Sequence, residues 1–189
     1  MMTLEVTVQP AIEPVTLEQV KEHLSWDNDH FDAWISERIT AARIQFEMET
    51  RVPLITRTVT YFGDSFSDVI ELMPKLRSVN TVKYIDVNGD QQTVDPTVYD
   101  IDTKGIVGSI YPAYNKCWPC ARYHKNSVEI EFTAGFGGFG SVPENIQQAI
   151  SALIGTWLQN RESVVVGVQF GDLNKAYDSI ASLYRVMSF

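Results

Sequence analysis

Cys117-Trp118-Pro119-Cys120, with His124 shortly after, is where thiols and an imidazole come together in this sequence. Thiolates at that spacing serve disulfide exchange or metal binding, so Cys117, Cys120 and His124 support an alternative reading as a small metal-binding or redox protein. The surroundings argue against it. A redox cysteine needs a helix N-terminus to stabilise its thiolate, whereas this is a Pro-containing, aromatic loop between predicted strands. A structural zinc site needs four ligands, and His23 and His30 lie far off in an acidic segment. The simpler reading is two reduced thiols around a Trp-Pro packing element. No metal ligand and no cofactor is assigned.

Gly135-Phe136-Gly137-Gly138-Phe139-Gly140 spells a dinucleotide-binding fingerprint after a predicted strand and before a predicted helix. In a nucleotide fold the helix starts at the loop, so that its N-terminus faces the pyrophosphate; here Ser141, Val142 and Pro143 intervene. No lysine follows in P-loop position either. Asp86, Asp90, Asp100 and Asp102 read as solvated turn and strand carboxylates without a base or nucleophile beside them. With three histidines and no nucleophile near them except the cysteine pair, no catalytic residue is assigned, and the chain reads as a protein that is not an enzyme.

The elements around these motifs follow from periodicity. Thr16 with Gln19 three residues on predicts a capping box opening a short helix. Phe31, Trp34, Ile35, Ile39, Ala42 and Phe46 keep helical spacing to about Thr50, before Pro53. The period then changes to two. Strands are predicted near 55–61, 69–72, 79–87, 90–94, 98–101, 105–110 and 128–133, with 69–72 as partner of the first and Asn88-Gly89 as a hairpin turn with positive backbone angles. Helical spacing returns from Pro143 to Arg161, with Ile146, Ala149, Ile150, Leu153, Ile154, Trp157 and Leu158 as a buried stripe and Trp157 its bulkiest member. A last helix is predicted over 173–184. This is an α+β fold: a helical core from 1–54 and 141–189, two helices at each end, with an inserted antiparallel β region at 55–140.

Between the last helices, Val164-Val165-Val166-Gly167 is too apolar for a routine surface loop, so something must cover it. The composition fits a folded chain: 189 residues, 44% hydrophobic and 21% charged. No stretch has the length and hydropathy of a membrane span, and the N-terminus lacks the pattern of a signal peptide, so synthesis in the cytoplasm without a membrane partner is expected. The net charge of −9 is concentrated in front, where Glu5, Glu13, Glu18, Glu22, Asp27, Asp29, Asp32, Glu37, Glu47 and Glu49 face only Lys21, Arg38 and Arg43 up to Thr50. That balance argues against DNA wrapping or scanning, although an acidic wall suits a channel through which DNA slides.

Many short matches in the right order carry a family resemblance. They are residues 16–24 with the Asp27 to Asp29 cluster and Thr50-Arg51; Thr81 to Asp86 with Asn88-Gly89; Tyr99 to Asp102; Trp118-Pro119; Val128 to Gly135; Val142-Pro143, Gln148 to Ile150 and Trp157; Asn160 to Glu162 and Val164 to Gly167; and Tyr184-Arg185-Val186 before Phe189. Together they resemble the head-to-tail connector (adaptor, head-completion) proteins of tailed phages and prophages, in the longer branch with a β insertion. The resemblance implies a virion structural protein made in a bacterial host and resident in the neck. It implies a dodecameric ring of copies that docks under the portal protein and meets a stopper or tail-completion protein, with DNA only as passing cargo. In such connectors the helical body forms the ring and the C-terminal segment engages the portal. Val164, Val165, Val166, Tyr184, Arg185, Val186 and Phe189 are therefore the expected ring or portal interface.

If the helical stripes hold the fold without a metal, treating the purified protein with a chelator leaves its melting temperature unchanged. A sharp fall, followed by circular dichroism, would restore the metal reading of Cys117, Cys120 and His124.

Overall fold

The computed structural model describes residues 3–8, 10–159 and 175–187. They divide into two compact units: a helical unit within 11–55 and 136–187, and a sheet unit within 1–10 and 56–135. The architecture is α+β: a first strand, then two helices, a strand-rich middle and two further helices among the described residues.

In the helical unit, α1 (Leu17–Leu24) opens with the predicted capping box. The Gln19 N–H donates to Thr16 Oγ1 at 3.2 Å and the Thr16 N–H to Gln19 Oε1 at 3.0 Å, satisfying two donors at the helix start. Ser25, at φ 51°, ends it in a left-handed cap. The second helix, α2 (Asp32–Thr50), ends the same way at Arg51, φ 62°. With α3 (Glu144–Gln159) and α4 (Lys175–Tyr184) these helices enclose one core, in which Ile35, Phe46, Ile146, Ile150 and Tyr177 are fully buried. Each such side chain contributes about 1.5–3 kcal/mol by leaving water. Trp157 is only partly buried against this core, as is Trp34, whose ring lies 5.1 Å under the Arg38 guanidinium. The two tryptophans therefore sit at the rim, while Phe46, Tyr177 and branched aliphatics fill the centre.

Among the described residues the sheet unit has eight strands: β1 (Thr3–Val8), β2 (Arg57–Gly63), β3 (Ile70–Pro74), β4 (Leu76–Ile85), β5 (Gln91–Thr93), β6 (Tyr99–Asp102), β7 (Val107–Pro112) and β8 (Val128–Ala134). They form a five-stranded sheet in the order β1-β2-β8-β4-β5 and a three-stranded sheet in the order β3-β7-β6, every pairing antiparallel. Val59, Val82, Val128, Ile130 and Phe132 from the larger sheet share a core with Ile70, Leu72, Tyr99 and Ile110 from the smaller. Lys75, at φ 58°, turns the chain between β3 and β4, and so from one sheet to the other.

Three features depart from the sequence reading. The N-terminal segment, expected within the helical core, is strand β1 at the edge of the five-stranded sheet, so the sheet unit draws on both sides of the first helices. The 70–74 strand pairs with β7 and not with β2, whose neighbours are β1 and β8. At the β4–β5 hairpin only Gly89 takes a positive angle, φ 98°. The Asp86 carboxylate organises the turn by accepting the N–H groups of Asn88, Gly89 and Asp90 at 2.8–3.0 Å. An aspartate before the turn thus replaces the second left-handed residue.

Gly108 of β7 approaches Leu76 of β4 so closely that a Cβ built on it would collide with the Leu76 side chain. Only glycine lets the strands meet there. Gly108→Ala is expected to cost about 1–3 kcal/mol by overpacking, read as a lower urea midpoint. Combining it with Leu76→Ala recovers part of that loss, so the two changes couple in a double-mutant cycle.

Candidate functional site

Of the expected interface, Val164, Val165, Val166 and Phe189 lie outside the described residues. Tyr184, Arg185 and Val186 are described, and the end of α4 positions them. That helix buries Tyr177 and Ala181 in the helical core and rests Ile180 against it, a three-and-four spacing that fixes which side chains turn outward. The Tyr177 ring meets Phe46 edge-on with centroids 6.0 Å apart, and burial, with the neighbouring Glu49 carboxylate, pushes its phenol far above the ordinary range.

Tyr184 is half-buried. Its ring lies 6.4 Å from Phe46 and 6.5 Å from Phe136, and its hydroxyl donates to Asn145 Oδ1 at 3.1 Å. The Val186 N–H donates to the Thr50 carbonyl at 3.0 Å, satisfying one of the acceptors left over at the end of α2. The segment is thus strapped to its own helical unit at two points, while the side chains between and beyond them face water. Leu183 is 76% exposed and Met187 86%, with Arg185 exposed between them. On α2, Ile44 and Met48 are also exposed, one helical turn apart.

The sequence assigned Tyr184 to the interface and left out Leu183, Met187, Ile44 and Met48. The signal for α2 was present, since Ile44 and Met48 fall outside the stripe of Ile35, Ile39, Ala42 and Phe46. For Leu183 and Tyr184 the spacing alone did not decide which of the two faces the core.

The other motifs are placed as follows. Cys117 and Cys120 are exposed, unbridged thiols. Trp118 between them stacks on Phe66 at 4.7 Å and 8° and on Tyr99 at 6.1 Å and 24°. His124 Nδ1–H donates to the Lys125 carbonyl at 3.0 Å. Among the described residues no three His, Cys, Asp or Glu side chains gather into a group able to hold a metal ion. In the glycine loop, Gly135 and Gly137 have φ of 133° and 144°, and the N–H groups of Gly135 and Phe136 are spent on the carbonyls of Lys75 and Leu54. Helix α3 starts only at Glu144, with Val142 buried in the helical core before it. Among the described residues no helix is long and apolar enough to cross a membrane.

No protein-family model matches the chain, and no curated protein does. Solved structures do. The chain superposes on one from the neck of an empty gene transfer agent (GTA) particle, computed with C6 symmetry, at a TM-score of 0.78 and 18% identity, covering 99% of this chain and 97% of that one. A chain of the native GTA virion matches at 0.77 and 19%, with 99% and 97% covered. One from the native GTA neck computed with C12 symmetry matches at 0.68 and 19%, with 97% of each covered. The fold is that of a GTA neck chain. The match spans both units, so the sheet region is part of the shared architecture and not an addition peculiar to this sequence.

Tyr184→Phe is expected to destabilise the protein by about 1 kcal/mol through loss of the Asn145 hydrogen bond. Leu183→Asp, at an exposed site, stays within about 0.5 kcal/mol of wild type. Urea unfolding followed by tryptophan fluorescence separates the two; equal losses would put Leu183 in the private core.

Proposed function

We propose that this chain is a virion structural protein, a subunit of the head-to-tail adaptor ring that joins the portal to the tail or stopper of a tailed phage, prophage or phage-like particle. The observation that carries the reading is the fold shared over 99% of the chain with one from a GTA particle neck. Neck structures computed with C6 and C12 symmetry support a closed ring of copies, and the C12 case supports a dodecamer. The role is assembly and not catalysis. Its partners are further copies of itself, the portal protein and a stopper or tail-completion protein, with DNA as cargo passing through the ring.

The exposed C-terminal side chains suit that task. Leu183, Arg185 and Met187 project from a segment whose backbone is already anchored through Tyr184 and Val186, so a partner gains apolar contact without first ordering the chain. Two apolar side chains and a cation with so little private contact are a small docking patch. Val164, Val165, Val166 and Phe189 belong to the same proposed interface on the strength of their apolar character.

Arg185→Glu combined with Met187→Asp leaves the far-ultraviolet spectrum unchanged and abolishes recovery of tailed particles in a complementation assay. Val165→Asp does the same by the same reading. If these variants stay folded and give full yields of tailed particles, the interface lies elsewhere; if Val165→Asp unfolds the subunit, the valines are its own core.

A further inference from the structure

The loop between β7 and β8 carries a charge opposite to that of the rest of the chain. From Thr103 to Val128 the sequence holds Lys104, Lys116, Arg122 and Lys125 and no aspartate or glutamate, in a protein of net charge −9. Lys116, Arg122, His124 and Lys125 are all exposed, and among the described residues none of the three Lys and Arg closes an ion pair. Asp95 feels the charge of Lys116 and Asp64 that of Lys125, while the Arg122 guanidinium lies beside Gly89 in the turn that Asp86 organises. Two tyrosines stand among the cations almost free of contact, Tyr114 at 89% and Tyr123 at 88% exposure.

The loop is long and irregular, yet it is held in place. Asn115 and Asn126, near its two ends, take left-handed angles of φ 57°. The Ala113 N–H donates to the Val98 carbonyl, Arg122 N–H to the Ile85 carbonyl at 2.8 Å, and Asn126 N–H to Asp64 Oδ1 at 3.1 Å. Trp118 anchors the middle by stacking on Phe66 and Tyr99. A long loop fixed by its own hydrogen bonds and an aromatic anchor presents its outward side chains as a preformed surface. Outward-facing tyrosines and cations on such a surface suit a protein partner with exposed carboxylates.

We infer that this cationic, tyrosine-bearing loop is a subunit–subunit contact that docks on the acidic helical front of a second copy. The inference rests on the ring reading above and names the surfaces that close the ring. A heterologous ring needs two different, complementary patches on one chain, and this chain carries both. The helical front exposes Glu18, Glu22, Asp27, Asp29 and Glu37, and its Lys21 is already engaged by Asp29 at 2.7 Å and Asp32 at 3.0 Å, leaving the excess negative. A DNA phosphate backbone is the weaker fit, because the field of the whole acidic chain repels it before the loop can engage. Attraction between patches of opposite sign steers the copies into one register and weakens as salt screens it.

The test is sedimentation velocity of the full chain in about 0.05 M and about 0.5 M salt, concentrations that bracket strong and weak screening. Wild type is expected to self-associate at low salt and less at high salt. K116E/R122E/K125E should weaken association about tenfold or more, the equivalent of about 1.4 kcal/mol. The acidic-front variant E22K/D27K/E37K should do the same, and an equimolar mixture of the two variants should recover part of it, since each then supplies one correct face. All six positions are exposed, and circular dichroism confirms that the variants fold. Undiminished association of the loop variant, or a mixture that does not recover, overturns the inference while leaving the ring reading in place. A wild type that stays monomeric at every salt concentration also overturns it, and the neck role is then decided by the particle assay alone. Duplex DNA bound by wild type in fluorescence anisotropy and lost in the loop variant, with self-association intact, would reassign the surface to DNA.

Discussion

One guanidinium holds the helical unit at the places where the chain enters and leaves it. Arg43 is 5% exposed, with its Nε on Glu13 Oε2 at 2.7 Å and its Nη1 on Glu47 Oε2 at 3.1 Å. Glu47, itself 7% exposed, turns its other oxygen to the Leu54 N–H at 2.8 Å, and Glu13 also accepts from Thr40 Oγ1 at 2.9 Å. Glu13 lies just past the point where the chain enters the unit, and Leu54 just before it leaves. The entering segment is therefore fastened to α2 through Arg43, and the leaving segment through Glu47 one turn further on. Such a network contributes little net stability against an apolar replacement of the same shape. Removing a single member is costly, about 3–5 kcal/mol, because it strands the remaining charge. What it supplies is position: Glu13 and Leu54 are each held to α2 at neighbouring residues of one network.

The helical half was the more legible in sequence. The capping box at Thr16 and Gln19, the stripe from Ile146 to Ile154 and the start of α3 after Pro143 are local signals, and local contacts form them. Arg43 and Glu47 were not legible. Both count only as charges of the front in sequence, because periodicity places a residue on a face of a helix without saying what will cover that face. The acid count of the front is accordingly smaller at its surface than in its composition. The sheet unit shows the converse. Leu4, Val6 and Val8 alternate with Thr3, Glu5 and Thr7 as a strand should, yet β1 pairs with β2 across more than fifty intervening residues, as in Thr7 Oγ1 to Thr60 Oγ1 at 2.8 Å. Strand existence is a local property and strand pairing is not, which is why the strand expected at 69–72 has a different neighbour from the one expected.

The same limit governs the candidate site. Tyr184 and Val186 enter the expected interface through the connector resemblance, but a ring that reaches Phe46 and an N–H that meets the Thr50 carbonyl are long-range facts. Their role in holding the segment makes the neighbouring Leu183, Arg185 and Met187 available. The cysteine motif went the other way. Its bland reading needed only the loop context, and Trp118 stacked between Phe66 and Tyr99 is the packing element that reading required.

Two separate cores explain how one chain can carry two unlike surfaces. Among the described residues the helical core around Phe46 and the sheet core around Phe132 share no residue, so each unit has buried apolar side chains of its own. Where the chain crosses back at residues 135 and 136, consecutive N–H groups bond to carbonyls in different units, Gly135 to Lys75 and Phe136 to Leu54. Between these two bonds Gly135 takes φ 133°, a backbone angle that any side chain would strain. Ile55 and Gly137 then form an isolated parallel bridge, so the outgoing and returning segments run side by side within the helical unit. The glycine run that imitates a nucleotide loop in sequence is in this fold a crossing point. Gly135 and Gly137 serve it through their positive angles, whereas Gly138 and Gly140 have room for a Cβ; the acidic helical front and the cationic β7–β8 loop each belong to a unit with its own buried core.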